Sequence, residues 1–338
     1  MSSPPFPQPS TSPAPQSDEI AAVASWVPEL EAALSEVIVG QESLVQSLTI
    51  GLLTGGHILL EGVPGLAKSL AVSCLAQAVH ASFNRLQFTP DLLPSDLVGT
   101  EIYNARSGEF TVRKGPIFAN FILADEINRA PAKVQSALLE GMQERQVSIG
   151  GESFALPMPF MVLATQNPIE QEGTYPLPEA QLDRFALKVV IGYPNRDEEL
   201  AILDRMGRTA PKMTIDPVVD LEAIARSRAM VDRIVMDRRL AEYVVDLVGA
   251  TRDPAAAGAP ELAHYVEYGA SPRACIWLTL AARAHAFLKQ RGYVTPGDIK
   301  AMAIEVLRHR VIPTYEAEAD GLDPEQIVAR LLETVPVP

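Results

Sequence analysis

Short apolar runs alternate with helically spaced apolar positions over the first 193 residues, and only the helical spacing continues beyond. The runs are His57-Ile58-Leu59-Leu60, Phe83 to Phe88, Asn120 to Ala124, Phe160 to Thr165 and Ala186 to Ile191. The near-continuous ones predict strands buried on both faces, and the mixed segment Phe83 to Phe88 reads as a further strand. Ahead of the first run, Ile20 to Val37 carries apolar residues near a 3.6 period despite Pro28. A second helix is predicted through Leu44, Leu48 and Leu52, ended by Thr54-Gly55-Gly56 as glycines end helices. Others are predicted over Leu70 to Ala76 and over Pro131 to Glu144, with Pro131 at the first turn. Strands alternating with helices predict an α/β fold, a parallel five-stranded sheet in an αβα sandwich. After Pro194 the strand signals stop. Helices are expected near Glu198 to Met206, Leu221 to Met230, Asp237 to Arg252, Pro272 to Gln290 and Pro296 to Val311, forming a small all-helical domain.

Two segments interrupt this plan. Residues 89–116 hold Pro90, Pro94, a helical hint over Leu92 to Val98, and a predicted hairpin around Ala105-Arg106-Ser107-Gly108. Residues 146–156 read as a second hairpin turning on Gly150-Gly151. Met1 to Gln16 is rich in Pro and Ser, with neither a charged n-region nor an apolar h-region. It is expected to be a disordered tail rather than a secretory signal, and its removal to leave stability and activity unchanged. The expected division is a tail over 1–18, an α/β domain over 19–193 and a helical domain over 194–338.

Composition narrows the class. The 338 residues are 47% apolar, enough for one large or two ordinary cores. No uninterrupted apolar run is long enough to span a membrane. Cys74 and Cys275 lie in helical patterns and read as buried thiols, which fits a reducing cytoplasm. The formal net charge of −14 weighs against a dedicated DNA-backbone binder.

The chemistry sits at predicted strand ends. Strand one runs into Gly62-Val63-Pro64-Gly65-Leu66-Ala67-Lys68-Ser69 and then a helix. Gly62 and Gly65 let the backbone form a nest of inward N–H groups, and the helix N-terminus adds partial positive charge. Lys68 would reach the β- and γ-phosphates of a nucleotide, and the Ser69 hydroxyl would take one Mg²⁺ position. Ala67 replaces the last glycine of the general pattern, which is expected to require φ < 0 there, as at a helix start. Strand three ends in Asp125-Glu126: either a solvated acidic turn, or a Mg²⁺-holding aspartate with a glutamate polarising the attacking water. Asn167, after strand four, is either a turn residue before Pro168 or the group that orients that water. Arg184, before strand five, and Arg273, at a helix start, are either surface ion-pair partners or groups that neutralise a transferring phosphoryl.

Taken in order, these motifs resemble AAA+ ATPases, with Walker A at Gly62 to Ser69 and Walker B at Phe121 to Glu126. Their details are similar to the MoxR family. Those details are Val39-Gly40-Gln41-Glu42, Gly62 to Lys68, Asp125 to Ala130, Ala164 to Pro168, Glu172 to Phe185 and Ser271-Pro272-Arg273-Ala274. The resemblance spans about residue 20 to the C-terminus, and Ala67 is usual in that family. It implies ATP and Mg²⁺ as cofactors and a hexameric homo-oligomeric ring with ATP between subunits. The nucleotide would be bound by Gly62, Val63, Pro64, Gly65, Leu66, Ala67, Lys68, Ser69 and Leu70, with Val39 and Gly40 near the adenine and Ser69 and Asp125 on the metal. It gives Glu126 the water, Asn167 and Arg273 sensor roles, and Arg184 the arginine finger on the neighbour's ATP. Arg273 is expected to reach ATP in its own chain. Residues 89–116 and 146–156 would be the helix-two insert and pre-sensor hairpin. Function is then expected to be ATP-driven remodelling, maturation or activation of partner proteins, with a von Willebrand factor A partner and a protein substrate. The alternatives are a chelatase-type motor subunit and a nucleic-acid-dependent motor, with a small-molecule kinase least favoured.

Overall fold

A computed structural model describes residues 14–63, 65–106, 108–167, 173–209 and 213–338. The chain enters through α1 (Ser17–Val23), α2 (Trp26–Val37) and α3 (Glu42–Thr54). The single helix expected over Ile20 to Val37 is therefore two. Proline is tolerated only in a first turn, so Pro28 fixes a restart at Trp26. Gly55 ends α3 at φ +66, the left-handed cap that glycine adopts without cost.

Then follow β1 (Ile58–Glu61), α4 (Lys68–Ala78), β2 (Phe83–Gln87), α5 (Pro94–Val98), and the hairpin of β3 (Gly99–Asn104) and β4 (Glu109–Lys114). Next come β5 (Phe121–Asp125), α6 (Ala132–Glu144), the hairpin of β6 (Gln146–Ile149) and β7 (Glu152–Ala155), β8 (Met161–Gln166), α7 (Glu179–Leu182) and β9 (Leu187–Val190). Pro131 stands just before α6 as its N-cap, not inside its first turn. The C-terminal part holds α8 (Arg196–Met206), α9 (Leu221–Arg233), α10 (Arg238–Ala250), β10 (Val266–Tyr268) and α11 (Pro272–Leu288). It ends with α12 (Pro296–Leu307), β11 (Ile312–Pro313), α13 (Tyr315–Ala319) and α14 (Pro324–Thr334).

The five strands pair in the order β2-β5-β8-β1-β9, all parallel. Alternate residues along each strand feed opposite faces. Ile58, Leu60, Leu123 and Leu163 join one core with the N-terminal helices and the C-terminal bundle. Leu59, Ile122, Val162 and Ala164 join a second core under α6. The C-terminal part docks beside the sheet, with α11 packed on α3 and α12 on β9. It is not all-helical, because β10 and β11 form a small antiparallel ribbon. The stretch expected to be a disordered tail also differs at its end. Pro15 is buried, with its carbonyl against Gly292, and α1 already begins at Ser17. Residues 1–13 of that stretch lie outside the described residues.

Candidate functional site

The three central strands β5, β8 and β1 lie side by side, so their carboxyl ends deliver residues to one place. A cavity of about 410 Å³ there is lined by Lys68, Ser69, Asp125, Glu126, Thr165 and Asn167, with Gly65 to Ala67 and Leu70 along its rim. The turn after β1 supplies the first two, at the start of α4. Gly65 has φ +89 and Ala67 φ +56. The expectation of φ < 0 at Ala67 is therefore corrected: the alanine holds a left-handed conformation that costs an L residue about 1 kcal/mol. The Gly62 carbonyl accepts from Lys68 Nζ at 2.5 Å, bracing the lysine across the turn. A Cβ on Gly62 would stand 2.7 Å from the Ile191 carbonyl, so only glycine lets this turn lie against β9. Val63 lines neither this cavity nor the apolar one beside it, and Pro64 lies outside the described residues.

Asp125 is nearly buried and its two oxygens are fully engaged. Oδ1 accepts from Thr165 Oγ1 at 2.7 Å. Oδ2 accepts from Ser69 Oγ at 3.3 Å and from Arg85, at 3.0 Å from Nε and 2.5 Å from a terminal nitrogen. Burial pushes its pKa up, but the hydrogen bonds from Thr165 and Arg85, the Arg85 charge and the Ser69 bond outweigh that and hold it below the usual carboxylate range. An ionised carboxylate and a serine hydroxyl converging on one point, with a guanidinium already drawn there, is an oxygen set suited to Mg²⁺. Burial lowers the pKa of Lys68, opposed by the charges of Asp125, Glu126 and Glu61. Glu126 follows Asp125 at φ +55, with its amide donating to Thr165 Oγ1 at 2.8 Å. Its Oε2 accepts from Gln87 Nε2 at 2.7 Å and lies 3.2 Å from Arg129 Nε.

Beside the rim is an apolar cavity of about 330 Å³, where Val39, Leu66, Leu70, Ile202, Met206 and Met213 meet. Its lining, contiguous with the Lys68 cavity through Gly65 to Ala67, suits a flat aromatic base. Gly40 does not line it. At φ +69 it makes room for Glu198, whose Cδ would lie 2.2 Å from a Cβ there.

Arg184 and Arg273 are elsewhere. β9 runs parallel to β1 with Leu187 opposite Ile58, so Arg184 sits at the amino edge of the sheet and the Lys68 turn at the carboxyl edge. One strand of about 13 Å separates the two edges. Arg273 does not reach the Lys68 cavity of its own chain either. It lines a second cavity of about 210 Å³ together with Arg184, Arg145, His57, Met142 and Trp277. The reason is the docking of α11. Asp183 accepts from Ser271 Oγ at 2.8 Å, from Arg310 Nε at 2.8 Å and from Arg273 at 3.4 Å, which pins the start of α11 to the residue before Arg184. Arg184 donates to the Leu139 carbonyl at 2.7 Å. His57 bridges the floor, accepting on Nδ1 from the Val162 amide at 2.9 Å and donating from Nε2 to the Met142 carbonyl at 3.1 Å.

Sequence reasoning missed Arg85 and Gln87, Thr165, the apolar α8 residues Ile202 and Met206, and the Asp183–Arg310 lash. Two polar residues two apart on an edge strand share one face, and this was the available signal for Arg85 and Gln87. Ile202 and Met206, four apart on α8, carried a comparable helical signal.

A model of the ATPase family associated with various cellular activities (AAA) matches residues 57–187, and an AAA lid domain model matches residues 261–331. The chain is 50% identical over 319 residues to Chaperone MoxR1 of Mycobacterium tuberculosis, covering 94% of this chain and 84% of that one. It is 32% identical over 325 residues to Protein MoxR of Methylorubrum extorquens, covering 91% and 94%. A solved structure from Cytophaga hutchinsonii superposes with a TM-score of 0.89 at 48% identity, covering 95% of this chain and 97% of that one. The chain belongs to the MoxR family of AAA+ ATPases.

Proposed function

We propose that this protein hydrolyses ATP with Mg²⁺ in a homo-oligomeric ring, hexameric by family analogy, and uses the cycle to remodel, mature or activate partner proteins. The observation that carries the reading is the convergence of Lys68, Ser69, Asp125, Glu126 and Asn167 on one cavity at three adjacent strand ends. Lys68 binds the β- and γ-phosphates, and the backbone nest of Gly62 to Ala67 holds the phosphate oxygens. Ser69 and Asp125 would hold the Mg²⁺, which when bound would supply charge neutralisation to the phosphates. Glu126 takes the proton of the attacking water as its oxygen bonds to the γ-phosphorus and the bridging oxygen leaves with ADP. Asn167 orients that water. Val39, Leu66, Leu70 and the α8 side chains take the adenine.

Arg184 and Arg273 share a cavity at the opposite edge of the sheet, so we assign both to the nucleotide of a neighbouring copy. This replaces the expectation that Arg273 acts within its own chain. A head-to-tail contact that puts the carboxyl edge of one copy against the amino edge of the next generates a ring when its rotation closes. The exposed ring pair of Tyr103 and Phe110, with centroids 5.2 Å apart on the β3–β4 hairpin, supports contact with a protein substrate. A von Willebrand factor A partner follows from family analogy. Cys74 and Cys275 are free thiols, which supports a cytoplasmic setting.

The test separates binding from chemistry. Lys68→Ala removes a ground-state contact and should weaken ATP binding itself. Glu126→Gln should bind ATP as the parent does and lose turnover. Turnover near the parent rate in Glu126→Gln would overturn the assignment of the base.

A further inference from the structure

The amino-edge cavity holds a third arginine that no motif marks. Arg145 closes α6 and lines the cavity beside Arg184 and Arg273, and none of the lining residues is a carboxylate. That absence has meaning in a chain with 42 acidic and 28 basic residues. Acidic groups were plentiful, yet the carboxylates stand outside this space of about 210 Å³: Asp183 pairs with Arg273 from behind at 3.4 Å, and Glu140 and Glu144 border Arg184 only in the neighbouring cavity.

Four further observations concern this cluster. The Nε of Arg184 is buried with no hydrogen-bond partner, and so is a terminal nitrogen of Arg228, whose charge stands near Arg145. The guanidiniums of Arg145 and Arg228 flank one point beside Gly55, 3.6 and 3.5 Å from where a Cβ would stand. The Arg145 guanidinium makes no hydrogen bond or ion pair among the described residues. Its backbone is also held at φ +53, in the left-handed cap position where glycine or asparagine is the economical choice. Local structure therefore does not explain an arginine here, and like charges close by oppose it.

We propose that Arg145 is a third contact to the triphosphate of a neighbouring copy's nucleotide, completing with Arg184 and Arg273 a three-guanidinium receptor. This rests on the assignment of Arg184 and Arg273 to the neighbour's nucleotide. The site is incomplete in one chain, because the phosphates it would engage lie on another chain's Lys68 turn. Planar guanidiniums converging on phosphate oxygens make paired, charge-assisted hydrogen bonds, and a triphosphate is the polyanion the ring contact would deliver.

The experiment uses the full chain with Arg145→Gln and Arg145→Lys, beside Arg184→Ala as control. At dilution that keeps the chains apart, Arg145→Gln should bind a fluorescent ATP analogue as the parent does, since its own Lys68 cavity is at the far edge of the sheet. Its turnover at saturating ATP should fall at least about tenfold. Arg145→Lys, with charge but no planar fork, should fall between the two. The nucleotide-free Arg145→Gln protein should melt at or above the parent temperature, because a like charge has left the cluster. Mixed with Glu126→Gln subunits, it should regain activity, as Arg184→Ala should. If Arg184→Ala recovers on mixing while Arg145→Gln alone turns over near the parent rate, the Arg145 proposal fails and the assignment of Arg184 stands. If neither variant recovers although mixed assembly is shown independently, the assignment of Arg184 fails too. A melting temperature below the parent, restored by Arg145→Lys, would make Arg145 structural and overturn the proposal. So would inorganic phosphate stabilising Lys68→Ala through Arg145 with no turnover effect of Arg145→Gln, which marks a free-anion site.

Discussion

Acidification offers a sharp test of how the amino edge is held together. His57 is fully buried, and its ring is committed on both sides: Nδ1 accepts from the Val162 amide and Nε2 donates to the Met142 carbonyl. That pattern exists only for the neutral ring, since a proton on Nδ1 would face an N–H donor. Burial, with the Arg145 charge adding to it and the Met142 carbonyl opposing it, lowers its pKa from 6.5 to about 4. The sign follows by linkage. Above pH 6.5 neither state binds this proton and the full stability is present. As pH falls below 6.5 the unfolded chain takes up a proton that the folded chain refuses, and stability drops until the folded value near 4 is passed. Between about pH 7.5 and about pH 5 this single group should remove about 2 kcal/mol. His309 is also buried and also held well below its ordinary value, first by burial and then by the charge of Arg310, so it contributes in the same window. The comparison must therefore be a difference. Urea denaturation of the parent and of His57→Gln, at both pH values and constant ionic strength, isolates the His57 share. The parent should lead His57→Gln at the higher pH, and the gap should shrink by about 2 kcal/mol at the lower. A gap that is the same at both would show that His57 titrates normally and that its two hydrogen bonds are not what joins β1, β8 and α6.

Two further outcomes are expected. Asp298, buried between α11 and α12, accepts from His285 at 2.6 Å, from Arg291 at 2.6 and 2.8 Å and from Thr295 at 2.7 Å, so Asp298→Ala strands a cation and should cost about 3 kcal/mol in urea denaturation. An unchanged midpoint would mean that the network relaxes or hydrates freely. At Ala67, glycine should leave stability within about 1 kcal/mol of the parent while valine, branched at a left-handed position, should lower both stability and nucleotide affinity. Equal behaviour of the two variants would show that the left-handed geometry is not kept in solution.

Much of the molecule was written in local signals. Apolar runs bounded by glycine, proline and polar turns located the central strands β1, β5 and β8, because a strand buried on both faces needs little else to declare itself, while the edge strands β2 and β9 are only partly buried. The Gly62 to Ser69 turn was legible because its chemistry is backbone chemistry, set by residues adjacent in sequence. Asp125, Glu126 and Asn167 were legible because residues at the ends of adjacent parallel strands converge whatever else the chain does. Where a proline or a glycine acts on its neighbours, only details shifted: Pro28 restarted a helix, and Ala67 took the conformation of the glycine it replaces.

The tertiary structure alone decided which groups share a cavity when they come from distant elements. Arg273 begins a helix in either account. The choice between its own nucleotide and the opposite edge of the sheet was made by α11 packing on α3 and by Arg310 and Ser271 converging on Asp183, contacts between residues 88 or more apart. Arg145 carries no motif, and its meaning arises from standing opposite Arg184 and Arg273. Periodicity records which face of an element is covered, but not by what. Local sequence therefore determined the strands, the Gly62 to Ser69 turn and the acidic strand end. Long-range packing determined the amino-edge cluster, because electrostatic neighbours are set by folded distance rather than by separation along the chain.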